Sequence, residues 1–282
     1  SLFFVTVCSV NRLSRFFFHN TLLINCVAAG IKSTENALLS HAFKRIGSKR
    51  MTVSMKDFYQ LKKNLKKDFS SCKKIKVSVL GDTATQFLIQ ALRGAGYDEG
   101  YDLQIQEADF NQIDLQVFDP SSELYEYKPE VVIIFQSSHK LLGKYNKLNP
   151  ADHVDFAATE MNRIQNLHQA IRDNLHAKVI FYNFTEIDDN VFGNYANKVS
   201  SSFLYQLRKL NVELMQYAVH NPSFYLCDLS AIQNQVGRKT FFHSSVYINT
   251  EMVLSLDVLP LVAAKTIGLL NAVYGKFKKC VI

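Results

Sequence analysis

Glycine and proline are scarce in this 282-residue sequence, 11 and 5 respectively, which excludes collagen-like and low-complexity chains. Five cysteines over such a length make no disulfide scaffold, and none forms a C-x-x-C pair, so a reducing compartment is expected and a zinc site is not. His168 and His176 likewise lack partners at metal-ligand spacing. No apolar run approaches the roughly 20 residues of a spanning helix, because Asn11, Arg12, Arg15, His19, Asn20 and Asn25 interrupt the most apolar stretch. No membrane span and a cytoplasmic location are the corresponding expectations. Acidic residues are nearly missing from the first 50 positions, where Glu35 alone faces seven Lys or Arg. The other 25 basic and 24 acidic residues balance, so the net charge of +7 sits almost wholly in that leader. A near-neutral body lacks the many phosphate contacts of a nucleic-acid binder. Neither G-x-x-x-x-G-K-[ST] nor G-x-G-x-x-G occurs, which removes the common nucleotide-binding loops.

What is present is a chain with 48% hydrophobic residues, enough to fill a sizeable core. Residues 1–50 combine aromatic clusters such as Phe16 to Phe18 with Arg and Ser. They read as a leader, either an organellar transit segment or sequence upstream of a true start at Met51, where the composition breaks. From 51 to 72 a Lys-rich amphipathic helix is expected, carried by Phe58, Leu61, Leu65 and Phe69 at intervals of three or four. Its Lys-rich character continues to Lys76.

The next segment, 73–275, alternates strand and helix patterns. Strands are expected at Ile75–Leu80, Leu103–Ala108, Val131–Phe135, Val179–Tyr182 and Phe224–Cys227. Helices are expected at 83–92, at a short turn over 121–127, and at 152–175 with Phe156, Met161, Ile164, Leu167 and Ile171 on one stripe. Two more are expected around Phe203–Leu214 and Leu259–Leu270. Five βα units in order imply a three-layer α/β/α, flavodoxin-like domain around a five-stranded parallel sheet. Such sheets bind ligands beyond the carboxyl ends of their strands, near the switch in strand order. The loops concerned supply the candidate ligand-binding residues Gly81, Asp82, Thr83, Gln86, Asp109, Asn111, Ser137, Ser138, Asn183 and Asp228, with Asp114 a further polar member.

The run L-G-D-T-A-T-Q at 80–86 resembles block I of the SGNH (GDSL) hydrolases, in which the residue at Thr83 is a nucleophilic serine. The run A-L-R-G-A-G-Y, then E-A-D-F-N-Q-I-D and V-F-D-P-S-S-E-L-Y-E-Y-K-P-E-V-V-I-I-F, is similar to the amino-terminal region of FkbH-like proteins. So are D-L-S-A-I-Q-N-Q-V-G-R-K-T-F-F-H and L-S-L-D-V-L-P farther on. In that family an SGNH-like domain precedes a phosphatase-type domain of the haloacid dehalogenase (HAD) superfamily. The resemblance implies a parent phosphatase or glyceryl transferase acting on phosphorylated three-carbon units, with an acyl carrier protein or a small acyl group as partner. Residues 276–282, containing K-K-C-V-I, are then expected to begin the first HAD strand, ahead of the D-x-D-x-T aspartates that bind Mg2+. No cofactor is expected for the 282 residues themselves.

The SGNH pattern is degenerate here. Thr83 replaces serine, and its extra methyl restricts χ1. No asparagine stands near Gln136–Ser138 to complete an oxyanion hole, and E-M-V-L-S at 251–255 takes the place of the family's Asp-x-x-His. His139 and His243 are the substitute bases for a catalytic reading. A ligand-holding, non-hydrolytic domain is the main expectation; an esterase or acyltransferase built on Thr83 is the alternative, and a purely structural module is a third.

Overall fold

The computed structural model describes residues 56–276 apart from Phe110 and Asp188. The leader of 1–50, the start of the 51–72 segment and the strand expected within 276–282 therefore lie outside the described residues, save for Lys276.

Five strands form one all-parallel sheet: β1 (Lys73–Gly81), β2 (Tyr101–Glu107), β3 (Val131–Phe135), β4 (Lys178–Tyr182) and β5 (Phe224–Cys227). Their spatial order is β2-β1-β3-β4-β5, so the order reverses between β1 and β3. Val77 lies opposite Val131, and Gly81 opposite Phe135, which brings the carboxyl ends of these two strands level. The run of five apolar residues in β3 is buried throughout, as a central strand covered on both faces requires.

Alternate side chains of the strands enter two separate cores. Val131, Ile133 and Phe135 join one, with Ile180 and Tyr182 from β4. Val132 and Ile134 join the other, with Val179 and Phe181. Helices α1 (Phe58–Asn64), α2 (Gln86–Asp98), α8 (Leu229–Val236), α9 (Arg238–Phe241) and α11 (Leu259–Val273) contribute to the first core. The second is closed by α3 (Ile113–Phe118), α4 (Glu123–Tyr127), α5 (Ser138–Tyr145), α6 (Phe156–Leu175) and α7 (Phe203–His220). Each large apolar side chain buried in these cores stabilises the fold by roughly 1.5–3 kcal/mol.

The Lys-rich segment forms a shorter helix than its spacing suggests. A capping box between Asp57 and Gln60 starts α1, and it ends at Asn64, whose Nδ2 donates to the Gly94 carbonyl at 2.9 Å. Leu65 and Phe69 thus fall outside the helix, and Lys76 lies inside β1. Gly94 permits the close crossing of α1 on α2, since a Cβ there would stand 2.3 Å from the Leu61 carbonyl oxygen. Two further boundaries move. The helix expected from Thr83 begins at Gln86, because Thr85 Oγ1 donates to the Glu107 carboxylate at 2.5 Å and the preceding residues form an open turn. The long helix expected from 152 begins at Phe156, after a 3-10 turn over Pro150–Asp155.

Candidate functional site

The carboxyl ends of β1 and β3 meet at the reversal in strand order, the place where sheets of this order form their ligand crevice. Asp82 follows β1 directly and is buried. Both of its carboxylate oxygens accept the Ser137 backbone N–H, each at 2.9 Å. Burial pushes its pKa up to about 7, against the pull of that N–H and of the Lys144, Lys140 and Arg163 charges. Asp82 therefore ties the two strand ends together and caps no helix. Gly81 beside it is required by packing, since a Cβ would lie 2.6 Å from Thr85 Cγ2.

Thr83 is 0% exposed, and its Oγ1 has no hydrogen-bond partner. It stands three residues ahead of the first helical residue, so its position at a helix N-terminus is corrected: the intervening turn separates the hydroxyl from the amides of α2. The next amide, Ala84 N–H, is taken by the Glu251 backbone carbonyl at 3.3 Å. Gln136, at the end of β3, is also buried with its Oε1 unpartnered.

Ser137 caps α5 through its side chain, which accepts from the Lys140 N–H. Ser138 Oγ donates to the Thr185 carbonyl at 2.7 Å and so ties α5 to the loop after β4. His139, the next residue, stacks on Phe242 with ring centroids 4.2 Å apart and leans on Tyr247 at 5.2 Å. Burial lowers its pKa, and its Nδ1 has no partner. Lys140 reaches Glu251 with a 3.2 Å ion pair.

Residues 242–251 thus form a strap clasped onto the N-terminus of α5 and the Thr83 turn. The strap contains α10 (Ser244–Thr250), none of whose residues is buried. Glu251 closes it in the left-handed region, at φ 55°. Of the residues aligned in the sequence with the family's Asp-x-x-His, 251–255, Glu251 reaches the Thr83 turn through its backbone carbonyl. Its carboxylate pairs with Lys140, so no side chain there takes the place of the histidine.

A cavity of about 250 Å3 opens beside His139, lined by Thr185, Glu186, Ile187, Gln233, Arg238, Phe241, Phe242 and Val253. Glu186 accepts from Arg208 through Nε at 2.6 Å and Nη2 at 2.9 Å, and from Arg238 Nη2 at 3.2 Å. The Arg208 hydrogen bond, with the two positive charges, holds this carboxyl below the ordinary range despite its partial burial.

The remaining candidates scatter. His243 is exposed and lines a different depression, with Val246 and Met252 among its walls. Asn183 and Asp228 brace each other through a 2.8 Å hydrogen bond, and Asp228 caps α8. Gln86 and Asp109 are exposed; Asn111, also exposed, sits at φ 69° with its N–H on the Gly81 carbonyl. Asp114 binds Arg163 at 2.6 Å on the outer surface, joining α3 to α6. No hydrogen bond joins Thr83 Oγ1 to His139 or His243. Among the described residues no three His, Cys, Asp or Glu side chains converge as a metal site, and no helix is long and apolar enough to cross a membrane.

Residues 76–271 match the FkbH N-terminal domain. The chain belongs to that family. A solved structure of the N-terminal part of protein BF1531 from Bacteroides fragilis, containing a phosphatase domain complexed with Mg, is 43% identical, with a TM-score of 0.76. The match covers 80% of this chain and 59% of that one, so this family member spans about three fifths of the Bacteroides structure. A lipase/acylhydrolase from Enterococcus faecalis is similar at 14% identity and a TM-score of 0.48, over 74% of this chain and all of its own. TesA is similar at 15% and 0.47, over 70% of this chain and 98% of its own. No curated protein matches the chain.

Proposed function

We propose that the chain is the binding half of an FkbH-like phosphatase or glyceryl transferase, an SGNH-like domain that holds an acyl or glyceryl group, or the acyl carrier protein bearing it. The magnesium-dependent phosphoryl chemistry belongs, in this reading, to a HAD domain of the parent protein, in a cytoplasmic setting. The family match and the similarity to a phosphatase-containing Bacteroides protein support it.

One observation carries the choice of binding over hydrolysis: Thr83, at the nucleophile position, is fully buried with an unpartnered hydroxyl. A nucleophile needs a base within hydrogen-bond reach and an open approach for the ester carbon. Thr83 has neither. A buried hydroxyl without a partner costs about 1–3 kcal/mol relative to an apolar isostere.

Thr83→Val separates the readings. For a binding domain the variant is more stable by about 1 kcal/mol in urea unfolding and keeps its affinity for acyl carrier protein, measured by calorimetry. Wild-type hydrolysis of short acyl esters that Thr83→Val abolishes would instead establish the esterase, and absence of any carrier or acyl affinity would leave only a structural module.

A further inference from the structure

Two arginines converge on one carboxylate at the mouth of the His139 cavity. Arg208 already gives Glu186 two hydrogen bonds, and Arg238 adds one from Nη2 alone. No other carboxylate among the described residues pairs with Arg238, whose side chain is 52% exposed. A guanidinium has five donors, so most of the Arg238 fork, and one net positive charge, remain for a ligand.

The rest of the lining is largely apolar, with Ile187, Phe241, Phe242 and Val253. His139 also lines the cavity, and its Nδ1 is buried and unpartnered. Burial lowers its pKa, which favours the neutral ring. The volume, about 250 Å3, corresponds to roughly eight water-sized units. It suits a short chain.

We propose that this cavity binds a small anion with a short apolar tail, a carboxylate or phosphate monoester whose head pairs with Arg238 and whose tail lies against Ile187 and Phe242. The assignment rests on the binding reading above and names the ligand class of that crevice. It makes Arg238 the residue that selects for charge.

Calorimetric titration of the full chain with hexanoate, butyl phosphate and hexan-1-ol tests it. One or both anions are expected to saturate at one per chain, and hexan-1-ol to bind at least tenfold more weakly. Arg238→Gln, an exposed change that leaves Glu186 its Arg208 partner, is expected to cost the anions tenfold or more and the alcohol nothing. A shift of the His139 ring resonances on anion binding is expected independently of the variant. Preference for hexanoate or for butyl phosphate decides between the two heads. Equal affinity for the alcohol, an unchanged Arg238→Gln, or no saturable binding at millimolar concentration would overturn the proposal. If an anion binds but no carrier protein does, the carrier reading fails and the cavity assignment stands; the reverse pattern removes the cavity assignment alone.

Discussion

Asp82 and His168 carry opposite pH dependences inside one fold. Burial holds Asp82 at about 7, against 3.8 when free. Between those values the folded protein keeps a proton that the unfolded chain has released, so stability falls as pH rises. His168 is 0% exposed, with Nδ1 on the Tyr217 hydroxyl and Nε2 on that of Ser223. Its burial, helped by the charge of Arg172, lowers it from 6.5 to about 4. Here the unfolded chain gains the proton first, and stability falls as pH drops. From pH 6.5 to 4 the two slopes oppose each other. Asp82→Asn removes one of them, so the variant is expected to lose on the order of 3 kcal/mol more than the wild type over that range. Urea midpoints at fixed ionic strength measure this, and parallel curves for the two proteins would refute it. In the sequence Asp82 is visible as part of L-G-D-T, but its bond to the Ser137 amide is not, because that contact spans two strands 55 residues apart. Arg238 and Glu186 leave even less trace, since charged residues at a cavity rim look the same in sequence as solvated ones.

The strap is clasped onto the turn that holds Thr83. It is fastened by the His139 stack, the Lys140–Glu251 ion pair and the bond from Ala84 N–H to the Glu251 carbonyl, and it buries no side chain of α10. Exposed ion pairs contribute about 0–1 kcal/mol, so the aromatic contacts hold most of the clasp. Segments with few buried contacts open at free energies well below global unfolding. Hydrogen exchange at the Ala84 amide should therefore be faster than at Ile133 in the central strand, and Tyr247→Ala should speed it about tenfold with Ile133 unchanged. Equal protection at both amides would show that the strap opens only when the whole domain does. The five strands were legible because their apolar runs are unbroken or alternate cleanly. Helices α3 and α5 were not, since each is short and follows polar loop residues, and the strap offers no periodicity at all. The start of α2 was misplaced because Thr85 spends its hydroxyl on Glu107, a tertiary contact that local propensity does not reveal.

For the molecule as a whole, the parallel sheet requires both faces to be covered. One face is completed from elements early and midway along the chain. The other depends on α11, whose Leu259, Val262, Ile267 and Leu270 join the first core and which packs on α2 and β5. A chain ending at Val258 is thus expected to be insoluble or to bind hydrophobic dyes strongly, although every strand is present; a soluble product with the far-ultraviolet spectrum of the full chain would contradict this. The same dependence sets a schedule during synthesis. Translation proceeds at about 5–20 residues per second, so the interval between the end of β5 at Cys227 and the end of α11 at Val273 lasts roughly 2–9 s. Through that interval the nascent chain carries all five strands with one side covered only in part, by the helices already made, and its exposed apolar surface is a target for a ribosome-associated chaperone at a defined length.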